Sequence, residues 1–173
     1  KRPGSHELEI QATSPWKPRS TEFESFFELS YLVKLPPSHG NFTVSWTETG
    51  GILLNEGDYI RREFCVSNKG RDLGMVTAVI GIPAGASVQL QEMKKLQEEG
   101  VISYFEMSEQ NLLLYWEHFD DNQEVRIPIG LVGLIPGHFV AASSRVFEYY
   151  NPENEAWIEG LKMDVIKGTS SFF

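Results

Sequence analysis

Cysteine is almost absent from this chain: the only one among 173 residues is Cys65, in the run YIRREFCVSN. A lone cysteine cannot close a disulfide within the chain, and it lacks the companion ligands of a zinc site. Because it stands in an apolar-rich segment, we expect a buried, inert thiol. The spacing of the histidines does not predict a nucleophilic role for it.

Long apolar runs and an excess of positive charge are lacking too. No run approaches the roughly 20 apolar residues of a membrane helix, so no membrane span is predicted. The 24 acidic residues outnumber the 15 basic ones, and the net charge of -9 argues against a nucleic-acid partner. The polar, proline-marked start is unlike a signal peptide. Together with the missing initiator Met, it predicts a segment of a longer polypeptide, with any targeting signal upstream.

The hydrophobic residues, 41% of the chain, are enough to bury a core. Alternating apolar and polar residues predict strands in several segments: EFESFFELSYLVKL, NFTVSWTET, ILL, YIRREFCVS, GMVTAVIGI, VISYFEM, NLLLYWEHF, EVRIPIGLVGL and HFVAASSRVFEYY. The connections SEQ, DDNQ and IPG are of hairpin length. We expect residues 1–21 to be a linker or the edge of a preceding domain and residues 168–173 to be a tail.

One segment, SVQLQEMKKLQEEG, interrupts these strands with the composition of a helix. Ser87 is the expected N-cap, and Gly100 is expected at the C-terminal cap. Leu90, Met93 and Leu96 recur every three residues and form one apolar stripe, with Val88 beside it. The sequence therefore predicts a single amphipathic helix of about three turns.

The stretch RVFEYYNPENEAW carries three aromatic residues within four positions. We expect Val146 and Tyr150 to lie on one face of a closing strand, with Phe147 and Tyr149 on the other. Asn151-Pro152 should end this strand, and AWIEGLKMDVI offers one extra strand after it. With about eight or nine strands and one helix, the chain is predicted to be all-β: an antiparallel β-sandwich with one short amphipathic crossover helix.

This order of elements resembles the C-terminal receptor-binding domain of the alpha-2-macroglobulin family, which includes the complement thioester proteins. The segments that carry the resemblance are the strand ending at the corner Gly81-Ile82-Pro83, the helix, the strands VISYFEM and NLLLYWEHF, and the last strand Val146–Tyr150. By this resemblance, residues 22–39 are the last strand of a preceding CUB-like unit or the start of the sandwich, and residues 40–167 are the receptor-binding-like sandwich. The Tyr149-Tyr150 pair would then pack in the closing strand.

The resemblance implies a non-catalytic C-terminal module of a protease-trapping protein, acting in host defence. Its implied partners are the other domains of the parent chain, a protein receptor or a protease. Cys65 is followed by Val-Ser-Asn, not by Gly-Glu-Gln, so it does not match the family's thioester motif. No cofactor or metal is implied. The implied location is extracellular, or periplasmic in a bacterium.

Receptor binding in the family depends on two lysines one helical turn apart on the same domain's helix. The helix lysines here, Lys94 and Lys95, are adjacent and diverge by roughly 100° around the axis. They are the candidate partner-binding residues. Alternatively, both are solvated and pair with Glu92, Glu98 and Glu99.

Other residues suggest further hypotheses. Asn41-Phe42-Thr43 matches a glycosylation sequon, which makes Asn41 a candidate glycan acceptor. The cluster EHFDDNQE lacks the ligand spacing of a calcium or zinc site, so we interpret it as a solvated turn.

An adhesion or carbohydrate-binding sandwich is the alternative function, and exposed tryptophans could serve it. A hydrolase is the weakest hypothesis, because no Gly-x-Ser-x-Gly, paired-carboxylate or metal spacing supports it. The four tryptophans are Trp16, Trp46, Trp116 and Trp157, and we expect Trp46 and Trp116 to lie in the core.

Overall fold

Alternation of apolar and polar residues produces most of the regular structure in this protein. The computed structural model describes residues 35–168. The predicted linker, the first predicted strand up to Lys34, His6, Trp16 and residues 169–173 lie outside the described residues. Within them the elements are, in chain order, β1 Phe42–Trp46, β2 Ile52–Asn55, β3 Tyr59–Asn68, β4 Val76–Gly81, β5 Ala86–Val88, α1 Leu90–Glu98, β6 Tyr104–Ser108, β7 Asn111–Trp116, β8 Glu124–Gly133, β9 Gly137–Val140, β10 Ser144–Glu148, β11 Asn151–Ile158 and β12 Lys162–Ile166.

Two antiparallel sheets form the sandwich, in the strand orders β1-β3-β8-β5 and β11-β10-β4-β7-β6. A third, small sheet has the order β2-β12-β9, and its β2–β12 pair is parallel. The all-β sandwich with one helix is thus confirmed. The number of strands in residues 35–168 is twelve, more than predicted. Two segments expected to hold a single strand, HFVAASSRVFEYY and AWIEGLKMDVI, are each divided between two sheets, and β5 includes the start of the predicted helix.

Both large sheets contribute one face to a common core. Phe64 of β3 and Ile129 of β8 are fully buried, as are Ile80 of β4 and Leu114 of β7. Trp46 packs edge-on against Phe64, with ring centroids 5.0 Å apart. Burial of such side chains stabilises the fold by about 1.5–3 kcal/mol each. The strands predicted in YIRREFCVS, GMVTAVIGI, NLLLYWEHF and EVRIPIGLVGL are therefore confirmed.

Of the three connections of hairpin length, only SEQ joins strands that pair with each other. β6 and β7 form that hairpin, and Glu109 takes a positive φ of 53° in its turn. The segment after β7 instead leads into the other sheet. Phe119 lies within this segment and is fully buried, in edge-on contact with both Phe42 and Trp116. Because the Phe119 ring is held in the core, the loop crosses the sandwich instead of turning back.

The C-terminal strands differ from the prediction. Tyr149 and Tyr150 do not end a closing strand: they form the turn between β10 and β11, which pair in a hairpin. Pro152 lies in β11 rather than stopping the chain. β11 is the edge strand of its sheet, where a residue without an N–H group is tolerated. β12 follows, in the small sheet, so the predicted single extra strand is two strands.

The predicted strand HFVAASSRVFEYY is also two strands, β9 and β10, in different sheets. The backbone between them passes close to two glycines. A Cβ atom on Gly81 would overlap the carbonyl oxygen of Ala142, and one on Gly160 would overlap that of Ala141. The chain can change sheets here because these two positions carry no side chain.

Helix α1 begins later than predicted. Ser87 is not its N-cap, because it belongs to β5 and pairs with Val132 of β8. The N-cap is Gln89, whose N–H donates to the carbonyl of Gly130 at 2.9 Å. At the other end the helix stops before Gly100, which takes a φ of 73°, as predicted for a C-terminal glycine. Val88, expected in the helix, also belongs to β5.

Candidate functional site

The two helix lysines are exposed on α1 and point in different directions. The Lys95 ammonium lies 3.7 Å from the carboxylate of Glu99, one turn further along the helix. Among the described residues, no carboxylate lies within 4 Å of the Lys94 ammonium. The predicted pairing with acidic neighbours thus holds for Lys95. The role of Lys94 and Lys95 in partner binding stays a prediction.

Packing and a few hydrogen bonds attach the inner face of α1 to the sandwich, among them a bond from the Gln97 side chain to the Ser103 carbonyl at 3.2 Å. Met93 and Leu96 are buried, while Leu90 is 40% exposed, so the apolar stripe is narrower than predicted. The Tyr59 hydroxyl of β3 donates to Oε1 of Glu92 at 2.6 Å. This hydrogen bond is the main reason that the pKa of Tyr59 is raised. The contact orients α1, with its two lysines, on the surface.

A concave tyrosine-lined surface lies on the five-stranded sheet. We define the tyrosine hollow by the side chains of Tyr104, Glu106, Tyr115, Glu117, Tyr149 and Tyr150, with Met75 and Ser103 completing its lining. Its volume is about 430 Å³, within the range of ligand sites. Tyr150 is 81% exposed, and Tyr104 and Tyr149 are about half exposed.

Strand register brings these residues together from distant parts of the chain. Tyr104 of β6 lies directly opposite Tyr115 of β7, and their ring centroids are 5.9 Å apart. The N–H of Tyr149 donates to the carbonyl of Met75, just before β4, at 2.8 Å. Tyr149 and Tyr150 meet edge-to-face at 5.1 Å. The hollow therefore has a ring pair from the β6–β7 hairpin and another from the β10–β11 turn.

The polar groups of the hollow carry charge of one sign. The Tyr115 hydroxyl donates to Oε1 of Glu106 at 2.7 Å. Burial, followed by this hydrogen bond, raises the pKa of Tyr115 to about 12. The N–H of Glu117 donates to the hydroxyl of Ser103 at 3.0 Å. No lysine, arginine or histidine is among the described residues that line the hollow, so its field is negative.

Sequence reasoning missed this hollow. It assigned Tyr149 and Tyr150 to strand packing and gave Tyr104 and Tyr115 no role. The dipeptide Asn151-Pro152 could have located the turn, because such pairs favour turn initiation. Tyrosines at exposed strand positions, with Glu106 two residues after Tyr104, were a second signal, since a tyrosine keeps a polar end in water.

The remaining candidates are placed as follows. The Asn41 side-chain nitrogen, to which a glycan would attach, donates to the Lys69 carbonyl at 2.5 Å. A glycan there would displace this contact, and glycosylation of Asn41 stays a prediction. In the cluster EHFDDNQE, His118 and Asp120 are exposed and 2.9 Å apart, and a carboxylate oxygen of Asp72 lies within 4.8 Å of both. These exposed groups pair with each other at the surface.

The tryptophans do not form a binding platform in the described part of the chain. Trp46 and Trp116 are buried, as predicted, and Trp157 is partly buried beside Arg145.

Cys65 is only partly buried, not fully as expected, and its sulfur lies 3.5 Å from the hydroxyl of Thr47. Within residues 35–168, no helix is long and apolar enough to cross a membrane.

Comparison with known proteins gives a family match. The model of the A-macroglobulin receptor binding domain matches residues 71–159, just over half of the chain. No curated protein matches the sequence.

Solved structures share the fold at low sequence identity. The structure of Salmonella alpha-2-macroglobulin reacted with methylamine has a TM-score of 0.59 at 18% identity, over 76% of this chain and 10% of that one. Trypsin-activated alpha-2-macroglobulin from Escherichia coli gives 0.61 at 16%, over 76% and 11%. Native Escherichia coli alpha-2-macroglobulin, from domain MG7 to the C-terminus, gives 0.61 at 14%, over 75% and 24%. The chain thus spans a tenth to a quarter of the length of these structures.

Proposed function

Because this chain belongs to the A-macroglobulin receptor binding domain family, we propose that it is the non-catalytic C-terminal module of an alpha-2-macroglobulin-like protease inhibitor. Its work in that protein is docking, either onto other domains of the parent chain or onto a protein receptor or protease. The parent acts outside the cytoplasm, in the extracellular space or in a bacterial periplasm. Solved structures of alpha-2-macroglobulins with the same fold support this choice of parent.

The observation that carries the docking role is the exposure of the tyrosine hollow. Tyrosines whose rings stay in solvent expose apolar surface to water. Aromatic side chains are enriched at protein–protein interfaces. The 81% exposed side chain of Tyr150 contributes nothing to the core. The exposed rings of Tyr149 and Tyr150 at the tip of one hairpin and of Tyr104 on another therefore favour a contact surface over a packing role.

The chemistry of the hollow supports binding rather than catalysis. A general base needs a pKa near the working pH. The phenol of Tyr115 has a pKa of about 12, because burial and the Glu106 carboxylate both favour its protonated form. At neutral pH it acts as a hydrogen-bond donor that holds Glu106 in place.

Helix α1 supplies a second surface for the same role. Lys94 and Lys95 are exposed, and no carboxylate of residues 35–168 lies within 4 Å of the Lys94 ammonium. Lysines act as point charges in such contacts. Their divergence around the helix axis predicts that one lysine contacts a partner at a time, so that Lys94→Ala and Lys95→Ala should differ in effect.

The test uses the natural polypeptide that contains this sequence. A photo-crosslinking amino acid is placed at Tyr150 in one variant and at Lys94 in another, with Glu56 as the control position in a turn outside both surfaces. We expect crosslinks to another domain or to a captured protease from Tyr150 or Lys94, and none from Glu56. Deleting residues 40–167 should abolish the capture of added trypsin.

The proposal is wrong if that deletion leaves trypsin capture unchanged and no crosslink forms from either surface. Incorporation of labelled methylamine upstream would add that the parent carries a thioester; no incorporation in a parent that still captures trypsin would make it a non-covalent inhibitor. The alternative, an adhesion or carbohydrate-binding module, has one observation in its favour: aromatic rings beside Glu106 and Glu117 can also stack on sugars. Glycan-array binding that requires Tyr150 would support it.

A further inference from the structure

We propose that the tyrosine hollow recognises a cationic side chain, lysine or arginine, on a basic segment of the partner polypeptide. This inference rests on the proposed docking role and names the chemistry of its partner. Four phenol rings and two carboxylates define the hollow, and no basic side chain is among the described residues lining it. A cation over the face of an aromatic ring is attracted by the ring's quadrupole, and a nearby carboxylate adds a charge-assisted hydrogen bond.

The geometry provides both kinds of contact. The ring pairs Tyr104–Tyr115 and Tyr149–Tyr150 have centroid distances of 5.9 Å and 5.1 Å and lie on two hairpins of one sheet, with strand β4 between them. The ring planes at the turn meet at 80°, so the edge of one ring covers a face of the other and the two rings are not stacked face to face. A side chain entering the hollow can therefore meet ring faces and still reach a carboxylate.

Glu106 is positioned for this contact by Tyr115. One carboxylate oxygen of Glu106 accepts the Tyr115 hydroxyl at 2.7 Å, which leaves the other oxygen for a ligand. An acidic partner would be repelled by Glu106 and Glu117, and a neutral partner would gain no charge attraction from them while removing part of their hydration. Charge complementarity therefore selects a basic segment, and the chain's net charge of -9 would add steering toward such a partner.

The size of the hollow fits a peptide segment better than a single small cation. A volume of about 430 Å³ exceeds that of one lysine or arginine side chain, so flanking residues of the partner can also be accommodated. The large exposure of Tyr150 means that it can close on a ligand without disturbing the core.

The experiment uses the 173-residue chain and calorimetric titration at low salt. The probes are acetyl-tetralysine amide and acetyl-tetraarginine amide, with acetyl-tetraglutamine amide as the neutral control. We expect the two cationic peptides to bind and the neutral one not to. Tyr150→Leu should weaken binding about two- to fivefold, since it removes one exposed cation–π contact, whereas Tyr150→Phe should retain it.

Charge is tested with a matched pair of variants. Glu106→Gln and Glu56→Gln remove the same charge, but only Glu106 lies in the hollow. We expect Glu106→Gln to weaken tetralysine binding by at least threefold more than Glu56→Gln does. Circular dichroism and the melting temperature establish that each variant is folded.

Four results would overturn the inference. Equal weakening by Glu106→Gln and Glu56→Gln would mean unspecific attraction to an acidic protein, and equal binding by Tyr150→Leu and Tyr150→Phe would mean that no ring face is used. Binding of neutral glycans in place of the cationic peptides would assign the hollow to sugars. If the peptides do not bind but Tyr150 still crosslinks within the parent, the docking role stands and its cationic chemistry is wrong.

Discussion

The Tyr59 hydroxyl donates a 2.6 Å hydrogen bond to Glu92 and thereby connects strand β3 to helix α1. The contact lies over Gly130 of β8: a Cβ atom there would come within about 3.0 Å of both the Tyr59 hydroxyl and the second Glu92 oxygen. That second oxygen is buried and has no hydrogen-bond partner in the described structure. This polar contact beside a glycine thus contributes, with the buried Met93 and Leu96, to the orientation of the helix lysines.

Replacing Tyr59 with Phe should lower the free energy of unfolding by about 0.5–1 kcal/mol, the net value of an ordinary hydrogen bond at a half-exposed site. Urea denaturation measures this loss. Tyr150→Phe is the matched control, because no hydrogen bond of the Tyr150 hydroxyl is found among the described residues. An equal loss in both variants would show that the Tyr59–Glu92 contact does not stabilise the helix.

Alkaline pH should destabilise the protein through Tyr115. Its pKa is raised to about 12 by burial and by its hydrogen bond to Glu106, against an ordinary value of 10.0. Between these values the unfolded chain has released the proton and the folded chain has kept it. The free energy of unfolding therefore falls as pH rises from about 10 to 12.

The measurement for Tyr115 is urea denaturation at several pH values between 9 and 12, compared with Tyr115→Phe. The variant lacks the titrating group, so its stability should fall less steeply over this interval. Spectrophotometric titration of the folded protein should show a tyrosine that ionises at a higher pH than the other tyrosines do on average. This ionisation step should be missing in Tyr115→Phe. Identical slopes in the two proteins would contradict the assignment.

Local periodicity explains how much of this fold could be predicted. Leu112 and Leu114 alternate with outward residues, and Met93 and Leu96 lie one turn apart, so β7 and α1 follow from spacing alone. The division of HFVAASSRVFEYY into two strands could not be predicted in this way. It depends on a backbone contact of Ala142 with Gly81, which is distant in sequence.

The tyrosine hollow was missed for a related reason. The local signals, Asn151-Pro152 and the polar end of tyrosine, do not by themselves decide whether a given tyrosine ring packs or stays in solvent. Tyr149 and Tyr150 became exposed because β11 pairs with β10 and turns the chain at that point. Tyr104 and Tyr115 face each other because of the β6–β7 register, which the SEQ turn permits but does not specify. Exposure of these rings is therefore a property of the strand pairing.

Acidic pH should destabilise the protein through Glu148. Burial alone would raise the pKa of this carboxyl, but hydrogen bonds from Asn154 at 3.1 Å and from Arg71 at 2.6 Å outweigh it, so the pKa is lowered. Because the pKa of Glu148 is lower in the folded chain than in the unfolded chain, the ionised carboxylate stabilises the fold at pH values above its unfolded-state pKa, which is near 4.5. That stability is lost as pH falls through the folded value.

The variant Glu148→Gln should show a flatter loss of stability below about pH 4.5 than the wild type does, measured by urea denaturation in steps from pH 6 to pH 3. Glu153→Gln, an exposed residue in the adjacent strand β11, serves as the control and should retain the wild-type slope. If Glu148→Gln retained the wild-type slope as well, the paired carboxylate would not be a source of the acid sensitivity.

The glycines beside the β9–β10 crossing should be intolerant of any side chain. In Gly81→Ala the new methyl group would overlap the backbone carbonyl of Ala142, which cannot move aside as a flexible side chain would. Overpacking of this kind costs about 1–3 kcal/mol.

Gly74→Ala is the control, because its Cβ would meet no atom within 4 Å and its φ is not positive. Thermal unfolding should show a lower melting temperature for Gly81→Ala and an unchanged or slightly higher one for Gly74→Ala, since alanine restricts the unfolded chain. Equal melting temperatures for the two variants would mean that Ala142 shifts freely and that the crossing does not depend on Gly81.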